Sequence, residues 1–165
     1  RRDLSISLNN VGQVAEARGE WDVAEAAYRE SLEIRRGLEE SLGTPEARRD
    51  LSVSLDRVGR VAQARGEWAV AEAAYRESLE IRRGMEESLG TPEARRDLSI
   101  SLNNVGQVAE ARGDWDAAQT SYLESLELAR ELEDLLGTPQ AQRDVSTSQE
   151  NLNRLRQKRA DLGEL

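Results

Sequence analysis

The chain has 165 residues and a formal net charge of −9, and 33% of its residues are charged. This negative charge argues against a nucleic-acid partner, because no net positive field is available to attract phosphate groups. The sequence contains neither cysteine nor histidine, which excludes disulfides and thiolate metal ligands and removes the commonest general base. No apolar run approaches the roughly 18 residues of a membrane-spanning helix. We therefore expect no nucleic-acid, membrane or metal partner.

An internal repeat organises the chain. The segment Arg-Arg-Asp-Leu-Ser at residues 1–5 recurs at residues 48–52 and 95–99, so the period is 47 residues. Residues of different repeats that are separated by a multiple of this period are called corresponding residues below. We divide the chain into repeat 1 (1–47), repeat 2 (48–94), repeat 3 (95–138) and a C-terminal segment (139–165).

Each repeat predicts an A helix followed by a B helix. In repeat 2, Thr44 is a helix-capping residue and Pro45 suits the first helical position, so the A helix is expected over residues 45–65. Gly66 supplies a left-handed exit, and the B helix is expected over residues 68–89, ending at another glycine. The same Thr-Pro start precedes the A helix of repeat 3 and the C-terminal segment, whereas repeat 1 lacks it.

Apolar and small residues recur every three to four positions along both helices, which predicts one packing face for each helix. Neither helix can bury this face alone, so the hairpins must stack on their neighbours, as in a solenoid. The pattern therefore predicts an all-α fold of antiparallel helix hairpins with about seven helices. In repeat 1 the A-helix face comprises Leu4, Leu8, Val11 and Ala15, and the B-helix face comprises Trp21, Ala24, Tyr28, Ser31, Leu38 and Leu42.

The repeats resemble those of the tetratricopeptide family, whose pattern is W-x-x-L-G-x-x-Y followed by A-x-x-x-F. The matching residues of repeat 1 are Leu8, Val11, Gly12, Ala15, Ala24 and Tyr28. Residues 8–12, Leu-Asn-Asn-Val-Gly, are most similar to the kinesin-light-chain-like variant of that family, here with an extended period of 47 residues. The resemblance implies a right-handed α-solenoid with small residues where helices A and B touch. Armadillo and HEAT repeats have a similar length and are the alternative.

The C-terminal segment 139–165 is predicted to be a capping helix. Val145, Leu152 and Leu155 continue the inward face of an A helix, while polar residues replace the small and apolar ones on its other face. A polar outer face suits the end of a repeat array. The front end shows no such change, so we expect that the chain was cut from a longer array or joined to another segment.

In tetratricopeptide arrays the A helices line a concave groove that holds ligands, and the differences between the repeats indicate the same wall. Repeats 1 and 2 differ at seven positions, of which five lie in the A helix. These five span about 120° of the helix, nearly opposite its packing face. Tuning of specificity and neutral drift both explain such a stripe. The candidate groove residues are Asn9, Asn10, Gln13, Asp56, Arg57, Arg60, Asn103, Asn104 and Gln107.

The chemistry of this wall indicates a peptide ligand. Asparagine side chains donate and accept hydrogen bonds, so they suit an extended peptide backbone. Arg57 and Arg60 lie one turn apart and suit a carboxylate, either an acidic side chain or a chain end. Asp56 and Arg60 can instead neutralise each other within the helix.

We expect a non-enzymatic protein–protein interaction scaffold that binds an extended peptide or partner segment in this groove without a cofactor. The sequence has no glycine-rich phosphate loop and no cysteine or histidine for a nucleophile–base pair. The alternative is a structural module that stacks head to tail through an uncapped end and so forms homo-oligomers. A sensor arm of a larger signalling protein is a third interpretation. We expect a cytoplasmic location.

Overall fold

A computed structural model describes residues 1–163 of the chain. No strand occurs among these residues, and the prediction of an all-α solenoid built from consecutive helix hairpins is confirmed. Within the described part, none of the helices is both long and apolar enough to span a membrane. The helices are α1 (Arg2–Ala17), α2 (Trp21–Leu42), α3 (Pro45–Ala64), α4 (Trp68–Leu89), α5 (Pro92–Ala111), α6 (Trp115–Leu136) and α7 (Pro139–Asp161).

Local sequence signals set the helix ends. The hydroxyl oxygens of Thr44, Thr91 and Thr138 each accept a hydrogen bond of 3.2 Å from the backbone N–H three residues later. This bond satisfies one of the donors that a helix start leaves unpaired. After α2, Gly43 takes a left-handed conformation with φ of 59°, which costs a glycine little. The helix bounds therefore agree with the sequence prediction to within one residue in repeat 2.

The chain forms two compact units. Unit 1 is Arg1–Ile81, and unit 2 runs from Arg82 onward. The core of unit 1 is formed mainly by apolar side chains of α2 and α3, among them Tyr28, Leu32 and Leu55, and it includes Ala15 of α1 and Ala74 of α4. The core of unit 2 is formed by α6 and α7, and comprises Ala118, Tyr122, Leu126, Leu152 and Leu155.

Glycine sets the contact between the A and B helices of a hairpin. A β-carbon placed on Gly59 would lie 2.7 Å from Cε1 of Tyr75, closer than real β-carbons approach. The same crowding by a tyrosine ring occurs at Gly106 in unit 2. The expectation that the repeat needs a small residue here is thus confirmed, because only glycine lets the ring lie against the A helix.

The predicted B-helix face of repeat 1 is wrong at one apolar residue. Leu42 is 59% exposed, whereas Ala24, Tyr28 and Ser31 on the same face are fully buried. Leu42 is the last residue of α2 and borders the solvent-exposed turn at Gly43, so no neighbouring helix covers it. The inward face of the B helix therefore ends one turn earlier than its apolar pattern.

Candidate partner-binding surface

The A helix in the middle of unit 1 leaves only one face open. In α3, the face toward α2 and the face toward α4 are both lined by buried residues. The third face lies about 120° from each of them. Its residues are exposed or half-buried, and the corresponding residues of α1 are exposed as well. We call this surface the open wall of unit 1, and its residues are Ile6, Asn10, Gln13, Val53, Arg57 and Arg60.

The structure places most of the predicted groove residues of unit 1 on or beside this wall. Asn10, Gln13 and Arg60 are exposed, and Asp56 is half-buried at the edge of the wall. Asn9 lies inside instead, with 9% of its surface exposed and no hydrogen-bond partner for its side-chain oxygen among the described residues. A ligand on the open wall therefore meets Asn10 and Gln13 before it meets Asn9.

Arg57 is held in place by neutral groups. Its guanidinium carbon lies 5.6 Å from the centroid of the Tyr28 ring, within the range of a cation–π contact. When the Gln13 amide oxygen faces Arg57, it accepts hydrogen bonds from both terminal nitrogens at 3.1 and 3.2 Å. Neither partner carries a charge, so the positive charge of Arg57 has no carboxylate against it among residues 1–163.

Arg60 differs from Arg57 because its charge is neutralised. It donates a hydrogen bond of 2.7 Å to the Glu16 carboxylate on α1. The same Glu16 oxygen accepts a hydrogen bond of 2.9 Å from the Tyr28 hydroxyl. Burial raises the pKa of Tyr28, and the hydrogen bond to Glu16 raises it further. Arg60 thus pairs with the neighbouring A helix, rather than with Asp56 in its own helix.

The predicted residues of unit 2 lie partly under the C-terminal helix. Asn103 on α5 donates to the Ser148 hydroxyl at 3.3 Å and accepts from Asn151 at 3.2 Å, both on α7. Asn104 and Gln107 are half-buried on the same helix. Asn103 therefore helps to dock α7, while Asn104 and Gln107 keep part of their surface open.

Sequence reasoning missed a buried carboxylate with several hydrogen-bond donors, which is Glu110 on α5. Its side chain is 4% exposed and accepts hydrogen bonds from Tyr122 at 2.8 Å, from Arg154 at 3.0 Å and from Lys158 at 2.6 Å. Burial alone would raise the pKa of Glu110, but these hydrogen bonds outweigh it and lower the pKa to about 2. The repeats did carry a signal for this pair. Glu110 and Arg154 correspond to Glu16 and Arg60, so the same two residue types recur at the same spacing.

Two tetratricopeptide repeat family models match the chain, one at residues 3–84 and the other at residues 101–136. Among solved structures, BtubC (BKLC) from P. vanneervenii is 17% identical with a TM-score of 0.61, over 100% of this chain and 67% of that protein. The de novo designed helical repeat protein DHR64 is 17% identical with a TM-score of 0.47, over 98% of this chain and 81% of the design. The likeness to BtubC shows a shared fold. The likeness to DHR64 does not, because its TM-score is below 0.5. No curated protein matches the sequence.

Proposed function

Because the chain belongs to the tetratricopeptide repeat family, we propose that it is a non-enzymatic scaffold that binds an extended peptide along the open wall of unit 1. In this proposal Arg57 holds a carboxylate of the peptide. The partner is a protein segment that carries an acidic side chain or a free C-terminus, and no cofactor takes part. We also propose that the protein acts in the cytoplasm, as expected from the sequence.

The single observation that supports this function most is the uncompensated charge of Arg57. Arg60 already has Glu16 as its partner, whereas Arg57 contacts only an amide and an aromatic ring in unit 1. A guanidinium binds a carboxylate through two parallel hydrogen bonds, and such charge-assisted bonds are stronger than neutral ones. An incoming carboxylate therefore replaces the weaker bonds to Gln13 with stronger ones.

The remaining residues of the open wall suit the rest of a peptide. Ile6 and Val53 are corresponding residues on α1 and α3, and they are 44% and 36% exposed. They offer apolar contacts for peptide side chains without forming a large apolar patch. Asn10 lies one turn after Ile6 on α1, at the position that corresponds to Arg57 on α3. Its amide can pair with both the N–H and C=O groups of an extended backbone.

The test compares the binding of selected peptides to the unaltered chain and to Arg57→Gln. Peptides are selected from a random library on the unaltered chain, and their dissociation constants are measured by fluorescence anisotropy. We expect each selected peptide to need a carboxylate for binding, either on an acidic side chain or at its C-terminus. Loss of the charge-assisted bonds should weaken binding to the variant at least about tenfold. Amidating the C-terminus of each peptide then separates the two sources of carboxylate.

Arg29→Gln is the matched control, because it removes an exposed guanidinium of α2 that pairs with Glu25 and lies outside the open wall. It should leave the dissociation constants within about twofold of the unaltered chain. If Arg57→Gln binds the selected peptides as tightly as the unaltered chain does, the proposed carboxylate site is wrong. Both variants must retain the helical circular dichroism of the unaltered chain for the comparison to count.

A further inference from the structure

The front of unit 1 exposes an apolar strip on α1. Leu4, Val11 and Val14 are 51%, 51% and 52% exposed, and we call these three residues the front face. The corresponding residues of α3 are Leu51, Val58 and Val61. They are 6%, 6% and 0% exposed, because α2 packs on them. The front face therefore has the composition of a surface that a B helix covers elsewhere in unit 1.

The C-terminal helix α7 repeats this strip in unit 2. Val145, Leu152 and Leu155 correspond to the front-face residues, at three periods of distance. Leu152 and Leu155 are 1% exposed and pack on α6, where the core also includes Tyr122. We call the surface of α5 and α6 that α7 covers the end seat. The face of α7 that packs in the end seat is thus similar to the front face of α1. The face of α7 is covered, whereas the front face is exposed.

The charged residues at the two ends of the strip agree with the apolar match. Asp144 on α7 accepts a hydrogen bond of 2.7 Å from Arg96, and Arg159 donates one of 3.2 Å to Asp116. The residues of α1 that correspond to Asp144 and Arg159 are another aspartate and another arginine. These are Asp3 and Arg18, both exposed and without a side-chain partner among the described residues.

A second helix of the front end adds a contact that α7 lacks. In unit 1, Arg36 on α2 forms a two-pronged ion pair with Glu77 on α4, one bond of which measures 2.7 Å. Arg130 on α6 corresponds to Arg36, and Glu30 on α2 corresponds to Glu77. Among the described residues, the side chain of Arg130 has one hydrogen bond, of 3.4 Å, to Gln149 of α7. A hairpin made of α1 and α2 therefore offers Arg130 a carboxylate, whereas α7 offers it an amide.

We propose that the end seat also accepts α1 and α2 of a second copy of this chain, so that copies join head to tail whenever α7 leaves the seat. The contact is heterologous, since the front of one copy meets the end of another, and such contacts produce open chains of molecules. In this arrangement α7 is a competitor that belongs to the same chain. Its departure converts a closed end into a binding surface for the next copy.

Beside the apolar and terminal contacts, an ionic cluster around a buried carboxylate holds α7 in the seat, and we call its members Glu110, Arg154 and Lys158 the latch. Arg154 and Lys158 both donate to Glu110. The residues of α1 that correspond to these two cations are Gln13 and Ala17, so a seated α1 leaves Glu110 without a cation. Because α7 is also tethered beside the seat, its effective concentration there is high. The intact latch therefore favours the closed chain.

The experiment opens the latch in the full chain with Arg154→Glu and Lys158→Glu, which place like charges against Glu110. Sedimentation velocity measures the mass over a concentration series, and hydrogen exchange measures the protection of the α7 amides. We expect the unaltered chain to keep the mass of one copy. The latch variant should lose α7 protection, and its mass should rise with concentration to at least twice that value.

Two further variants keep the result decisive. Adding Leu4→Lys and Val11→Lys to the latch variant should return the mass to that of one copy, because the front face can no longer enter the seat. Adding Glu110→Lys to the latch variant should restore both α7 protection and the single mass. If the latch variant exposes α7 and stays at one copy, or if its association survives the front-face changes, the proposal is overturned. If the latch variant leaves α7 protected, Leu152→Pro replaces it, and the same two outcomes decide.

Discussion

The guanidinium of Arg60 on α3 donates a hydrogen bond of 2.7 Å to the carboxylate of Glu16 on α1. In unit 2 the corresponding bond of 3.0 Å joins Arg154 on α7 to Glu110 on α5. The residue of repeat 2 that corresponds to Glu16 is the neutral Gln63, which accepts a hydrogen bond of 3.1 Å from Tyr75. A carboxylate thus occupies this position where the next A helix carries an arginine.

This pairing explains part of the variation between the repeats without reference to a ligand. Two of the five A-helix differences between repeats 1 and 2 are Gln13/Arg60 and Glu16/Gln63. Both involve positions that contribute to the bond between neighbouring A helices. Complementarity between adjacent helices is therefore a third explanation, beside tuning of specificity and neutral drift, for the stripe of differences on the A helix.

The Arg60–Glu16 pair should contribute little to stability. The Arg60 side chain is 54% exposed and that of Glu16 is 20% exposed, and ion pairs in such settings contribute about 0.2–1 kcal/mol. We expect Arg60→Gln to lower the free energy of urea unfolding by less than about 1 kcal/mol, and 1 M salt to reduce the difference. A double-mutant cycle with Glu16→Gln measures the coupling. A coupling energy above about 2 kcal/mol would show that the pair is effectively buried.

Two helical glycines should respond in opposite ways to the same change. Gly59→Ala brings a β-carbon to 2.7 Å from the Tyr75 ring, so we expect a loss of about 1–3 kcal/mol in the free energy of unfolding. Gly84 lies inside α4, and a β-carbon there would meet nothing within 4 Å. Gly84→Ala should therefore raise the free energy of unfolding by up to about 1 kcal/mol. Thermal unfolding of the two variants checks both signs, and a stabilising Gly59→Ala would contradict the observed packing.

The helix order and the hairpin contact could be predicted from the sequence because their signals are local. Each Thr-Pro pair of the chain, such as Thr44 and Pro45, starts a helix. Gly59 marks a close contact within one hairpin. The burial of Asn9 and Arg35 could not be predicted in this way. Arg35 is 6% exposed and forms an ion pair with Asp50 of the following helix, whereas arginine is normally a surface residue. The burial of Arg35 depends on which helices become neighbours, and the spacing of apolar residues does not predict those neighbours.

Corresponding leucines of α1 and α3 should differ in their contribution to stability. Leu51 is 6% exposed in the core of unit 1, so Leu51→Ala should cost about 2–4 kcal/mol of unfolding free energy. Leu4 is 51% exposed, so Leu4→Ala should cost less than about 1 kcal/mol. Urea unfolding at low protein concentration measures both. Equal losses at the two positions would show that a partner covers the front face under those conditions.

The latch should make the docking of α7 sensitive to acid. The pKa of Glu110 is about 2 in the folded chain, whereas an unfolded glutamate has a pKa of about 4.3. Since the folded value is the lower one, the stability that the charged carboxylate contributes is complete above about pH 5. It is lost progressively as the pH falls from there toward 2.

Hydrogen exchange of the α7 amides between pH 7 and pH 2 tests this dependence against the variant Glu110→Gln. The amide of the variant does not titrate, so its α7 protection should start lower at pH 7 and change less as the pH falls. In the unaltered chain the extra protection should disappear between about pH 5 and pH 2, as protonation removes the charge that Arg154 and Lys158 face. Other carboxylates titrate equally in both chains, so the difference between them isolates Glu110. A difference that stays constant over this range would mean that the charge of Glu110 does not hold α7 in the end seat.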